Sequence, residues 1–206
     1  MPVLWPRPDR GRPLVVLLHG RGADESTIAP LAEILEPELD CAAPRGGVAL
    51  ATGGFGWFEN RGIGRPREDS LRHELDEAWA WLDTLGAARP VVAVGFSGGA
   101  AFAGALALDR PERLAGAALL YGTLPFDAGL SAEPHRLNGL PVFYARAEND
   151  AVIPRELLER TEELLASVPS AHVWRHPGSH AIDPSIHGPL REWVDDAMHL
   201  ATSGDA

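Results

Sequence analysis

The chain has 206 residues, of which 45% are hydrophobic and 23% charged, with a formal net charge of −11 at pH 7. That is the make-up of an ordinary globular domain with room for a real core. The acidic surplus and the lack of any basic block argue against nucleic acid and anionic lipid surfaces as partners. No apolar run approaches a membrane span, and Met1-Pro2-Val3-Leu4-Trp5-Pro6 carries no signal-peptide pattern. Residues 1–206 are therefore expected to form a single cytoplasmic domain. All 18 basic residues are Arg, which excludes Schiff-base and pyridoxal chemistry, Ser–Lys dyads and a P-loop lysine. Cys41 is the only cysteine, so neither an internal disulfide nor a cysteine-based metal cluster is available, and it reads as an inert buried thiol.

In chain order, Leu14-Val15-Val16-Leu17-Leu18 reads as a buried strand ending in the Gly-rich His19-Gly20-Arg21-Gly22-Ala23-Asp24. Ile28, Leu31, Ala32 and Leu35 recur at helical spacing behind a Ser26 or Thr27 cap, with Pro30 tolerated only in or near the first turn. A strand over 39–43 follows, then a long aperiodic loop from Pro44 to Pro66. Leu71, Leu75, Ala78, Leu82 and Leu85 mark an amphipathic helix. Pro90-Val91-Val92-Ala93-Val94 is the next strand, followed by Gly95-Phe96-Ser97-Gly98-Gly99 and an alanine-rich helix. Further strands are predicted over 114–121, 140–145 and 172–175. Two more helices lie along Leu157–Leu165 and Ile186–Ala197. Apolar strands alternating with amphipathic helices indicate an α/β fold, a mostly parallel sheet covered on both faces.

In such sheets the working residues sit at the carboxyl ends of strands. A serine in a G-x-S-x-G turn between strand and helix is held in a cramped backbone that exposes its hydroxyl, beside the amides of a helix N-terminus. Ser97 occupies that place. Asp150 follows the strand at 140–145, in Glu148-Asn149-Asp150-Ala151-Val152-Ile153-Pro154, and His180 follows the strand at 172–175. Serine is a poor nucleophile until an imidazole accepts its proton, and a carboxylate must hold that imidazole's tautomer. Glu148 competes with Asp150 for the acid, and His172 and His176 with His180 for the base. The spacing His172…His176…His180 also suggests a metal site, but Pro177 and Gly178 break a helix, and residues four apart on a strand lie about 13 Å from one another; no metal or cofactor is expected. An oxyanion hole needs two donors. Gly98 N–H is one, and Arg21 N–H, in the loop after the strand at 14–18, is the candidate for the other. His19 is expected to orient that loop rather than act as a base.

These stretches together resemble the α/β-hydrolase superfamily in its phospholipase/carboxylesterase branch, which includes acyl-protein thioesterase-like enzymes. The resemblance rests on Leu18–Asp24, Gly95–Gly99, Asn149–Pro154 and Gly178–His180, and so spans nearly the whole chain. It implies Ser97, Asp150 and His180 as the triad, Arg21 and Gly98 as oxyanion donors, no large lid and a small-molecule ester substrate. The reaction expected is that of a serine carboxylesterase, with an acyl thioesterase or lysophospholipase using the same triad, or a non-catalytic hydrolase-fold binding protein, as the alternatives. The chain departs from the branch at Gly98, where members often carry Gln, and in a short N-terminal portion that implies one or two missing edge strands. In Gly53-Gly54-Phe55-Gly56-Trp57-Phe58, the aromatics Phe55, Trp57 and Phe58 are candidates for an apolar acyl pocket or for anchors of the loop.

Overall fold

Val-, Leu- and Ala-rich runs with no polar face can only be buried on both sides, and the sheet that results is built from them. The structure, a computed structural model, describes residues 2–86 and 88–203. In chain order the elements are β1 (Val3–Arg7), β2 (Leu14–Leu18), α1 (Glu25–Ile28), β3 (Asp40–Pro44), β4 (Val48–Ala49), β5 (Phe55–Gly56) and α2 (Glu68–Thr84). There follow β6 (Val91–Phe96), α3 (Gly98–Asp109), β7 (Gly116–Leu120), β8 (Val142–Ala147), α4 (Arg155–Leu165), β9 (Ala171–His176) and α5 (His187–Ser203). Seven strands form one sheet in the order β1-β3-β2-β6-β7-β8-β9. All neighbours are parallel except β1, which runs antiparallel to β3 at the edge.

The pleat sends alternate residues of one strand to opposite faces. Leu14, Val16 and Leu18 join a core with Leu75 of α2, Phe102 of α3 and Leu158 of α4. Val15 and Leu17 join the other core, with Ile28 of α1 and Leu190, Val194 and Met198 of α5. A doubly covered parallel sheet follows, with every residue of β2, β3 and β7 buried. Cys41 lies in β3, where burial pushes its thiol up to about 11. Among the described residues no helix is long and apolar enough to cross a membrane.

Two predicted segments come out differently, and one strand has no counterpart in the sequence reading. The helix expected after β2 is a single α turn capped by Asp24, whose Oδ1 accepts from Ser26 N at 2.9 Å, not by Ser26 or Thr27. Residues 29–34 continue as a 3₁₀ helix, because Pro30 has no N–H to extend the α pattern and its ring crowds the preceding turn. The long loop is not structureless: β4 and β5 pair antiparallel, and Asn60 bridges Pro66. Finally, β1 was not foreseen. It contains Pro6 and is only partly buried, and an edge strand tolerates proline because one side makes no ladder.

The amino ends of the parallel strands are closed by paired charges. Arg89 Nη2 lies 2.5 Å from Asp40 Oδ2, both side chains being nearly inaccessible. The same carboxylate oxygen accepts from Arg10 N at 2.8 Å and Arg12 N at 3.0 Å. The Arg7 guanidinium donates to the carbonyls of Ala32, Leu35, Glu36 and Leu39.

Candidate active site

Ser97 sits between β6 and α3 at φ 53°, ψ −111°, a conformation L-residues avoid and which costs about 1–3 kcal/mol. The glycines on either side make it attainable. A Cβ on Gly95 would run into the Gly99 carbonyl, and one on Gly99 into the Leu18 carbonyl. Strand, turn and helix can therefore close only without side chains at those two positions. Ser97 N donates to Leu120 O at 2.9 Å, which ties the turn to β7.

His180 lies on the segment between β9 and α5. Asn149 pins that segment, its Nδ2 donating to Pro177 O at 2.7 Å and its N to Gly178 O at 3.1 Å. The imidazole Nε2 is 2.8 Å from Ser97 Oγ, and Nδ1 is 2.8 Å from Asp150 Oδ2. An ionised carboxylate only accepts, so Nδ1 carries the proton and Nε2 is free to accept from the serine hydroxyl. The Asp150 side chain is 1% exposed, and its other oxygen accepts from Val152 N at 2.8 Å and Ile153 N at 2.9 Å. The Phe96 ring tilts against His180 with centroids 5.3 Å apart. Such a chain can raise the nucleophilicity of the hydroxyl and take up its proton as a bond forms.

The competing residues stand elsewhere. Glu148 is exposed, His172 stacks on Phe143 at 5.4 Å, and His176 is wedged between Tyr121 and Trp174. The three histidines thus face three different sets of neighbours. Asp183 caps the turn before α5, accepting from Ser185 N at 2.9 Å.

The two predicted donors are neighbours. A Cβ on Gly98 would stand 3.1 Å from Arg21 N, and among the described residues neither amide donates to a protein acceptor. His19 is fully buried. Its Nε2 accepts from Gly46 N at 3.0 Å, so Nδ1 donates to Gly20 O at 2.8 Å. Desolvation holds its pKa below the ordinary value, against the opposing pull of the Gly20 carbonyl. A neutral His19 braces the loop that carries Arg21.

Ser97 opens into a cleft of about 240 Å³, lined also by Arg21, Phe58, Asn60, Ile63, Gly64, Gly98, Ala101, Thr123, Val152 and Ile153. Of the three aromatics named as a pocket, only Phe58 lines it. Trp57 is a core residue, stacked on Phe102 at 4.7 Å with its Nε1 donating to His19 O at 2.8 Å. Phe55 is held in the β4–β5 ladder, with the Arg45 guanidinium 4.7 Å over its ring. Both anchor the loop, because an indole or phenyl in a Gly-rich segment is stabilised by whatever apolar surface it reaches first. Ile63, Gly64 and Thr123 went unrecognised. They come from two connections, β5 to α2 and β7 to β8, that meet only when the sheet is assembled, and no local pattern marks them. Val152 and Ile153 lay within a recognised stretch that was read only for its acid.

Comparison with known proteins gives a consistent picture. Residues 3–192 match the phospholipase/carboxylesterase family. A protein of Bacillus subtilis (strain 168) named as a hydrolase, MhqD, is 30% identical over 195 residues, covering 90% of this chain and 94% of its own. A Bacillus cereus carboxylesterase is similar in structure with a TM-score of 0.79, at 27% identity, over 95% of this chain and 93% of that one. A Mesorhizobium loti carboxylesterase has a TM-score of 0.77 at 26% identity, over 89% and 88%.

Proposed function

The chain belongs to the phospholipase/carboxylesterase family and is a hydrolase with the α/β-hydrolase fold, and from that premise we propose that it is a serine carboxylesterase acting on small carboxylic esters through an acyl-enzyme on Ser97. The observation that carries this reading is the unbroken hydrogen-bonded chain Asp150–His180–Ser97, with both links at 2.8 Å. His180 Nε2 takes the hydroxyl proton as Ser97 Oγ attacks the ester carbonyl, and Asp150 stabilises the imidazolium that forms. The Gly98 and Arg21 amides receive the negative charge on the carbonyl oxygen, a role worth about 3–4 kcal/mol per donor in comparable sites. His180 then protonates the leaving alcohol. Water, activated by the same nitrogen, releases the acid and restores Ser97. These steps call for no cofactor or metal.

The cleft supports a small substrate. Its 240 Å³ falls below the range of about 300–1,000 Å³ typical of drug-sized ligands. A fluorophosphonate is expected to label Ser97, located by mass spectrometry of the digested protein, and to leave Ser97→Ala unlabelled. Rates on p-nitrophenyl esters of graded length should fall as the acyl chain lengthens. Faster turnover of long acyl thioesters or of lysophospholipids than of any short ester would replace this reading with the thioesterase or lysophospholipase one.

A further inference from the structure

We infer that the Arg21 side chain gives this cleft a preference for esters whose acyl part ends in a carboxylate. The inference rests on Ser97 being the nucleophile and adds to it a substrate class. Among the side chains lining the cleft, Arg21 is the only charged one, and no Asp or Glu lines it. Most arginines of this acidic chain stand within ion-pair distance of a carboxylate, for example Arg45 with Glu25, Arg67 with Asp69 and Arg146 with Glu162. Arg21 has no such partner among the described residues. Glu59, the acid nearest in sequence to the cleft residue Phe58, is engaged by Arg67 at 2.9 Å.

The guanidinium is fixed without being consumed. Its Nη1 donates to Phe58 O at 3.1 Å, which uses one of five N–H donors and holds that nitrogen beside the cleft residue Phe58. A Cβ on Gly98 would stand 3.1 Å from Arg21 N and 3.2 Å from Arg21 Cβ, so a side chain there would press on the base of the arginine. A carboxylate matches a guanidinium fork in shape as well as charge.

The direction of the substrate follows from His180. The leaving alcohol must lie against Nε2 to receive a proton, on the His180 side of Ser97 Oγ. We place the acyl part in the cleft, on the side of Arg21 and Gly98. Phe58, Ile63, Ala101 and Val152 offer apolar surface for the methylenes between the scissile carbonyl and the terminal carboxylate.

The test compares ethyl hydrogen glutarate with ethyl pentanoate, esters of similar length that end in a carboxylate and a methyl group, by ethanol release at neutral pH. The ratio of their kcat/KM values should be about tenfold or more in favour of the glutarate in the native enzyme. It should fall below one in Arg21→Met and recover in part in Arg21→Lys. In about 0.5 M NaCl it should shrink through screening. Because the readout is a ratio on one enzyme, any general loss caused by disturbing the Arg21 amide cancels, and Arg21→Gln serves should the Met variant misfold. A native ratio at or below one, or a ratio that Arg21→Met leaves unchanged, overturns the inference even where fluorophosphonate labels Ser97. Failure of that labelling overturns instead the nucleophile reading on which it rests.

Discussion

The two ends of the central sheet are built on opposite terms. At the amino ends of the parallel strands the buried charges are answered: Asp40 is met by Arg89 and two backbone amides, and Arg7 by four carbonyls. At the carboxyl ends the backbone is strained at Ser97 and Tyr121, both at φ 53°. There Asn60 Oδ1 and His176 Nε2 are buried without a partner among the described residues, and Arg21 has no carboxylate within ion-pair distance among them. One end is satisfied and the other is poised. Under the proposed function this is where stability is traded for reactivity, since unmet donors and strain are costly unless something is to be bound or transformed there.

If this division holds, mutations at the two ends should separate activity from stability. The largest effect is expected for Asp150→Asn, which keeps the shape but lets His180 adopt the wrong tautomer. Ester turnover should fall by about 10³–10⁴-fold, with the denaturation midpoint nearly unchanged. Asp40→Ala should do the reverse. It removes the buried partner of Arg89, 5% exposed, leaving only the more exposed Asp9 at 3.0 Å, and urea unfolding should show a loss of about 3 kcal/mol, while kcat/KM per folded molecule stays at the native value. A smaller effect of opposite sign tests the strain directly. Ser97→Gly relieves the φ 53° backbone and should raise unfolding free energy by about 1 kcal/mol while removing turnover; an unchanged or lower stability would argue that the turn is relaxed.

Acidification gives the mildest probe of the comparison. Burial lowers the pKa of His19 below 6.5, so the unfolded chain binds a proton that the folded chain resists. Stability should therefore rise with pH between the lowered folded value and about 6.5, and decline on acidifying below about 6.5. Thermal melts across that window should show the decline, and His19→Gln should flatten it. A slope identical in the two proteins would place the acid sensitivity elsewhere.

Much of this layout could be read from the sequence, for reasons particular to each element. Gly95-Phe96-Ser97-Gly98-Gly99 is a weak pattern by itself, and the Val91–Val94 run before it and the alanine-rich helix after it carry its reading as a strand-to-helix turn. Asp150 and His180 followed from their places after apolar runs. What escaped was what depends on assembly or on weak local signal. The edge strand β1, with its Pro6 and partial burial, has no clear alternation. Pro30 converts an apparently regular helix into a 3₁₀ segment. The aromatic cluster at 55–58 looked uniform, yet Phe55 pairs in a ladder, Trp57 enters the core and Phe58 alone faces the cleft. Composition cannot distinguish those three fates.

The account stands or falls on Ser97 as the nucleophile, and the most direct measurement is p-nitrophenyl butyrate hydrolysis by Ser97→Ala beside the native protein, with thermal melts of both. A drop of about 10⁴-fold or more, at a melting temperature within about 2 °C of native, is the expected result. Turnover retained within a few-fold of native by a folded Ser97→Ala would contradict it.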